Sequence, residues 1–273
     1  MHLTSPGYLT DIFFHRFAGE VKEHAHHLAV RTPSNPTYRW GHFLIMDAPP
    51  ERGDLARWNA LFARDVGAPP HITHRAFAWE VDDGENKKGE NGDPSEFLAA
   101  GFELDEEVAM TAESLTEPRR PNREVTLRRL ESDADFAQQL RLHAESWESR
   151  DDASYRDFYR LRIESYRRMI AAGLGHWFGA FSGATLVADM GLFKDGASAR
   201  FQSVVTHPAY RRRGICGTLL HYAGHVGLTE LGAAQLVIVA EENYFAKDLY
   251  ATLGFRTVAR QAGLISSPPP EKA

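Results

Sequence analysis

Residues 199–253 constrain the fold most. ARFQSVVTHP alternates like a strand and is stopped by Pro208, YRRRGICG follows, and a helix then runs to about Leu231. Next come an apolar strand, QLVIVA, and a helical stretch, NYFAKDLYATL, closed by Gly254. Upstream, REVTLRRL reads as a strand, and Asp133 to Trp147 spaces Phe136, Leu140, Ala144 and Trp147 at helical intervals. Tyr155 to Ala172 is a second helix, and HWFGAF and TLVADMGLF form a hairpin around SGA. With the closing strand GFRTVAR, the order is strand, helix, helix, three strands, helix, strand, helix, strand. That order indicates an α/β (α+β) fold built on a mixed sheet.

The 273 residues are 43% apolar, enough for one large domain or two ordinary ones. No apolar run approaches the roughly 18 residues of a membrane span, so no membrane role is expected. The N-terminus shows no secretory pattern and the single cysteine forms no internal disulfide, so a cytoplasmic location is expected. Residues 1–121 hold 12 Lys and Arg against 20 Asp and Glu, whereas 122–273 hold 19 against 17. The mildly basic second half suits a small polyanion; a nucleic-acid domain is usually far more basic, so no nucleic-acid partner is expected.

The Arg-Gly stretch supplies the means to hold such an anion. Its glycines allow a tight turn with backbone N–H groups converging on one point, and the following helix adds its positive end. Arg211-x-x-Gly214 is more specific than a basic cluster, while the Gly-Lys-Ser/Thr of a nucleotide loop and the dinucleotide glycine pattern are both absent. Cys216, at a helix start beside arginines, could be read as a nucleophile, but no motif supplies its base. A second element follows the strand ending at Ala240: Asn243, placed to cap a helix, then Ala246, Leu249, Tyr250 and Leu253, then Gly254-Phe255.

Together, VVTHPAYRRRGICG and N-x-x-A-x-x-L-Y-x-x-x-G-F resemble the two acetyl-CoA motifs of the GNAT N-acetyltransferase superfamily. The first follows R/Q-x-x-G-x-G/A, with Cys216 standing where Gly or Ala is usual. The resemblance covers about residues 123–262. It implies a mostly antiparallel sheet with a splayed pair of parallel strands, here Phe201–Thr206 and Gln235–Ala240, with acetyl-CoA as co-substrate in the gap. Backbone groups of Val204, Val205 and Thr206 would pair with the pantetheine arm. One N–H there would meet the oxyanion of the tetrahedral intermediate.

The pyrophosphate would rest on Arg211, Arg212, Arg213, Gly214, Ile215, Cys216, Gly217 and Thr218. Tyr250 matches the usual proton donor to the departing thiolate, and Asn243 the residue that contacts the cofactor. The implied activity is direct acetyl transfer to a primary amine of a small molecule or peptide. A non-catalytic acyl-CoA sensor or scaffold is the alternative. Homodimerisation is compatible with either. Glu241, Glu242 and His176 are the bases within reach by sequence, with none preferred. The acceptor would lie against the first two helices, around SWESRDDASYRDFYR.

Residues 1–121 echo this order: NPTYRWGHFLIMDAPP as a strand, GDLARWNALFARDV as a helix, HITHRAFAWEV as a strand, then a short helix, Gly-Phe and a strand. FLAAGF parallels YATLGF, yet PPERGDLARW offers Arg52 and Gly53 without a second spaced glycine. The first half therefore reads as a degenerate GNAT-like domain (1–121), joined by a proline-bearing linker within Thr111–Leu127 to a catalytic domain (122–265), with a disordered tail (266–273). Val81–Glu96 reads as an exposed acidic loop. His24 and His26 of HAHH would share one strand face, but no carboxylate or cysteine spacing completes a ligand set, so no metal is expected.

Overall fold

The computed structural model describes residues 1–81, 92–146 and 153–266. Most of the acidic loop, the end of the first predicted helix at Trp147, part of the expected acceptor region and the tail lie outside the described residues. The chain forms two compact units. The first comprises Met1–Ala109, Ala240–Asn243 and the segment from Thr257; the second comprises Met110–Val239 and Tyr244–Arg256.

The second unit follows the element order read from the sequence. β6 (Thr126–Arg129) precedes helices α4 (Asp133–Ser146) and α5 (Ala153–Ala171). Then come β7 (Gly175–Ser182), β8 (Thr185–Asp195), β9 (Ser198–Thr206), α6 (Ile215–Thr229), β10 (Gln235–Glu241) and α7 (Ala246–Thr252). β6, β7, β8 and β9 pair antiparallel in succession, and β9 with β10 is parallel. The sheet carries helices on both faces, so its strands alternate between two apolar sets. Trp177 and Phe193 meet Tyr166 of α5, at ring distances of 4.7 and 5.5 Å, while Phe178 turns to Tyr222 of α6 at 5.8 Å. Asp135, in the first turn of α4, reaches back over the helix start: its carboxylate accepts from the N–H groups of Glu131 and Ser132, both at 3.1 Å, and from both ends of the Arg128 guanidinium, while its own N–H donates to Ser132 Oγ.

The first unit is built on β1 (Glu20–Glu23), β2 (His27–Arg31), β3 (Phe43–Met46), β4 (Arg75–Val81) and β11 (Arg256–Ser266). β3 and β4 are parallel; the other neighbouring pairs are antiparallel. FLIM and AFAW are continuous apolar runs because both faces are covered. Leu44, Met46, Phe77 and Trp79 pack with Trp58 and Phe62 of α2 (Asp54–Asp65), whereas Phe43, Ile45, Ala76 and Ala78 pack with Tyr8 and Ile12 of α1 (Pro6–Ala18). The short helix α3 (Ser95–Ala99) adds Phe97 to the α2 side, and β5 (Glu103–Ala112) carries the chain onward. Two expectations change here. α1, β1 and β2 had no counterpart in the sequence reading, and His24 and His26 fall in the β1–β2 connection rather than on one strand face.

Among the described residues no helix is long and apolar enough to cross a membrane.

Candidate active site

The strand β9 is bent where the cleft was expected. Asp189 of β8 faces Val205, but Gly191 faces Gln202, so two β9 residues oppose one of β8. Ser203 takes the extra residue with φ 50°, a left-handed conformation unusual for a residue with a side chain. On the other edge, β9 and β10 are in register only at Ser198–Arg200 with Gln235–Val237. Beyond that point the strands part, leaving Phe201–Thr206 with an edge unpaired by β10.

After β9, a 3-10 turn at Pro208–Tyr210 leads into the Arg-Gly segment, where Arg212 (φ 61°) and Gly214 (φ 76°) are both left-handed. Gly214 is the N-cap of α6, and its ideal Cβ position lies 2.2 Å from the carbonyl oxygen of Arg120, so no side chain fits. Asn122 fastens the other side of this turn: its side-chain amide donates to the Arg213 carbonyl and its N–H donates to Thr218 Oγ1, each at 2.9 Å. The first backbone bond of the helix is Thr218 N–H to Gly214 C=O at 3.1 Å. The N–H groups of Ile215, Cys216 and Gly217 therefore precede the helical ladder and point along its positive end.

Arg211 Nε donates to the Thr206 carbonyl at 3.2 Å, and Arg213 donates to the Ala209 carbonyl at 3.0 Å while lying over the Tyr210 ring. All three arginines are exposed, with charge available at the rim of the turn.

Tyr250, on α7, is 5% exposed. Burial raises its phenol well above the ordinary value, and the neighbouring Cys216 and Tyr244 add to that, so the hydroxyl stays protonated at neutral pH. Burial also pushes the Cys216 thiol up to about 11, against a smaller opposing effect of a hydrogen bond with Thr206. That is the reverse of an activated nucleophile. The Tyr250 ring is 6.3 Å from Phe255, which is 6.1 Å from Phe201 of β9.

Val204–Thr206, Arg211–Thr218 and Tyr250 thus belong to one unit, with the Tyr250 and Cys216 side chains as neighbours. Asn243 does not cap α7. The N-cap is Phe245, and Asn243 sits in an exposed turn because the chain needs four residues to leave β10 before the helix begins. Glu241 is exposed, Glu242 is ion-paired with Arg260 at 3.0 Å, and His176 lies on β7, two strands away from β9.

A polar cluster on the α4–α5 face escaped the sequence reading. His143 Nε2 lies 2.8 Å from Asp189 Oδ1 and 2.9 Å from the Tyr159 hydroxyl, and the imidazole stacks on the Tyr159 ring at 4.1 Å. All three are buried, and burial raises the Asp189 carboxyl above its usual range, with His143 opposing. Asp189 sits across from Val205, so the cluster underlies the bulge. The signals were a carboxylate inside the apolar strand TLVADMGLF and a histidine seven residues after Phe136 on the same helix face. Nearby, Arg141, Glu145, His207 and Tyr210 line a cavity of about 310 Å³.

Comparison with known proteins agrees with this geometry. Residues 174–257 match the family described as Acetyltransferase (GNAT) domain. No curated protein matches the chain. Among solved structures, a GCN5-related N-acetyltransferase from Kribbella flavida is similar at 12% identity and TM-score 0.65, over 98% of this chain and 97% of that one. A conserved protein of unknown function from Staphylococcus epidermidis ATCC 12228 is similar at 12% identity and TM-score 0.67, over 96% and 98%. A tandem GNAT protein from the clavulanic acid biosynthesis pathway is similar at 13% identity and TM-score 0.54, over 90% and 80%. Residues 174–257 thus match the GNAT acetyltransferase domain family, and the chain shares the fold of solved GNAT proteins over most of its length.

Proposed function

We propose that this protein transfers the acetyl group of acetyl-CoA to a primary amine in a single ternary complex. The observation that carries the reading is the pairing of an open β9 edge with a helix N-terminus whose first three N–H groups lie ahead of its own ladder. A pyrophosphate suits those N–H groups and the arginine rim, and an extended amide chain suits the edge of Val204–Thr206. The thioester supplies an activated acyl carbon. A neutral amine nitrogen forms a bond to that carbon, the carbon–sulfur bond breaks, and Tyr250 gives its proton to the departing thiolate sulfur.

The proton lost by the amine has a candidate destination in His143, held by Asp189 and reached through water. In the first unit, the turn corresponding to the phosphate cradle is occupied by the chain's own acids. Gly53 is a left-handed N-cap like Gly214, but its N–H donates to Glu96 Oε2 at 2.9 Å, and Asp54 accepts the Glu51 N–H at 3.0 Å. Carboxylates already fill the place of an anion, which supports a single cofactor site per chain.

Turnover is measured as CoA release over a panel of small amines and peptides, beside acetyl-CoA affinity by calorimetry. Tyr250→Phe is expected to lower kcat by about 10²-fold or more with affinity unchanged, and His143→Gln to lower turnover in the same pattern. A wild-type protein that binds acetyl-CoA but releases no CoA with any acceptor would favour the sensor reading. Absence of acetyl-CoA binding would end both.

A further inference from the structure

The first unit holds a cluster that the acetyl-transfer reading leaves unused. His24, in the β1–β2 connection, and His27, the first residue of β2, stack face to face at 4.4 Å with planes 9° apart. Both direct Nε2 at Asp65, the last residue of α2: His27 at 2.8 Å from Oδ2, His24 at 4.0 Å from Oδ1. The three donor atoms all lie within 4.8 Å of one another.

Hydrogen bonding explains part of this arrangement. Arg64 forks onto Asp65 from the solvent side, at 2.8 and 2.6 Å, and His27 completes that carboxylate's partners. It leaves out His24, whose Nε2 is buried with no hydrogen-bond partner among the described residues. A buried ring nitrogen held beside a second imidazole and a carboxylate, and bonded to neither, has the arrangement of a ligand lacking its ion.

We propose that His24, His27 and Asp65 form a binding site for a first-row divalent transition metal, of which Zn²⁺ is the representative. Two imidazoles and one carboxylate suit Zn²⁺ or Co²⁺ and not Mg²⁺ or Ca²⁺, which require mostly oxygen donors. Bonds of about 2.0–2.1 Å in a tetrahedron set donor separations of about 3.3 Å. The His27–Oδ2 and His24–Oδ1 separations of 2.8 and 4.0 Å bracket that value and no donor pair exceeds 4.8 Å, so side-chain shifts of up to about 1.5 Å suffice. Water takes the fourth position.

Arg64 is 61% exposed and free to swing away as the ion takes over its charge. The bound ion would tie the β1–β2 connection to the end of α2.

The test is Zn²⁺ titration of tag-free, metal-stripped full-length protein by calorimetry, with Co²⁺ visible absorption to read four-coordinate geometry. One ion per chain is expected at micromolar affinity or tighter. His24→Ala removes a half-buried side chain that makes no hydrogen bond among the described residues, so the fold should survive; affinity should drop at least about tenfold, since losing even a group that only orients a ligand costs that much, and the Co²⁺ spectrum should disappear. His26→Ala, on an exposed neighbouring histidine, should change neither, and Arg64→Ala should bind as tightly as wild type or tighter. Site binding that survives His24→Ala, equal losses with His26→Ala, or no stoichiometric binding to the wild type would each overturn the proposal.

Discussion

Gly214→Ala and Gly217→Ala form a pair in which the structure predicts opposite signs from the same added methyl. At Gly214 the backbone is left-handed, which costs a residue with a Cβ about 1–2 kcal/mol. The added carbon would also stand 2.2 Å from the Arg120 carbonyl oxygen, well inside contact distance. That carbonyl cannot easily retreat, because Asn122 two residues on is fastened to both Arg213 and Thr218. Overpacking of this kind adds about 1–3 kcal/mol, and the stiffer unfolded chain returns about 0.4–1 kcal/mol.

The net expectation is a loss of about 1–5 kcal/mol, read as a fall in Tm of about 2–4 °C per kcal/mol. At Gly217 the backbone is helical and the nearest atom to a Cβ is Leu249 Cδ1 at 3.5 Å, an ordinary contact. Alanine there should leave stability unchanged or raise it by up to about 1 kcal/mol. Urea unfolding gives both numbers, and calorimetry with acetyl-CoA shows whether distorting the turn at Gly214 weakens binding while Gly217→Ala retains more of it. Equal stability for Gly214→Ala and wild type would refute the steric argument, and unchanged acetyl-CoA affinity in that variant would refute the cradle.

Two further expectations concern pH. With the Cys216 thiol raised from 9.0 to about 11, its thiolate fraction at pH 8 is about 100-fold below that of an ordinary cysteine; iodoacetamide should label it correspondingly slowly in the folded protein and at the normal rate in urea, and rapid labelling of the native state would contradict the burial argument. His74, 4% exposed and donating from Nε2 to the carbonyls of Arg39 and His42 at 3.0 and 3.3 Å, is pushed down to about 4 by burial. Its folded pKa lies below the unfolded value of about 6.5, so the neutral side chain contributes stability fully above that value, and the contribution is lost as pH falls toward 4. The loss amounts to about 2–3 kcal/mol. His74→Gln should flatten the stability profile between pH 6.5 and 4; an unchanged slope would assign the acid sensitivity elsewhere.

Much of the second unit was legible because its signals are local. Strand alternation, Pro208 and the helix-closing glycines indicate its nine strands and helices in order, whereas the closing strand β11 belongs to the first unit; Arg211, Gly214 and Tyr250 were placed by motif. Residues 6–18 were harder to read, since PGYLTDIFFHRFA is apolar around most of its circumference and shows no clean stripe. Asn243 was misread because cap preference is a local tendency, whereas the helix start is set by how far the chain must travel after β10. His143, Tyr159 and Asp189 come from three elements and carry no common spacing, and Asp65 is 38 residues from His27.

The sequence by itself determined the alternation of strands and helices, the glycine that must be left-handed at the start of α6, and the tyrosine whose hydroxyl can donate a proton. Each depends on one residue or a fixed spacing along the chain. Tertiary structure decided where β9 bends and parts from β10, that Asp189 meets His143, and that a carboxylate completes the pair formed by His24 and His27. Those outcomes depend on strand register and on helices packing across a sheet, which place residues together that no interval along the chain relates.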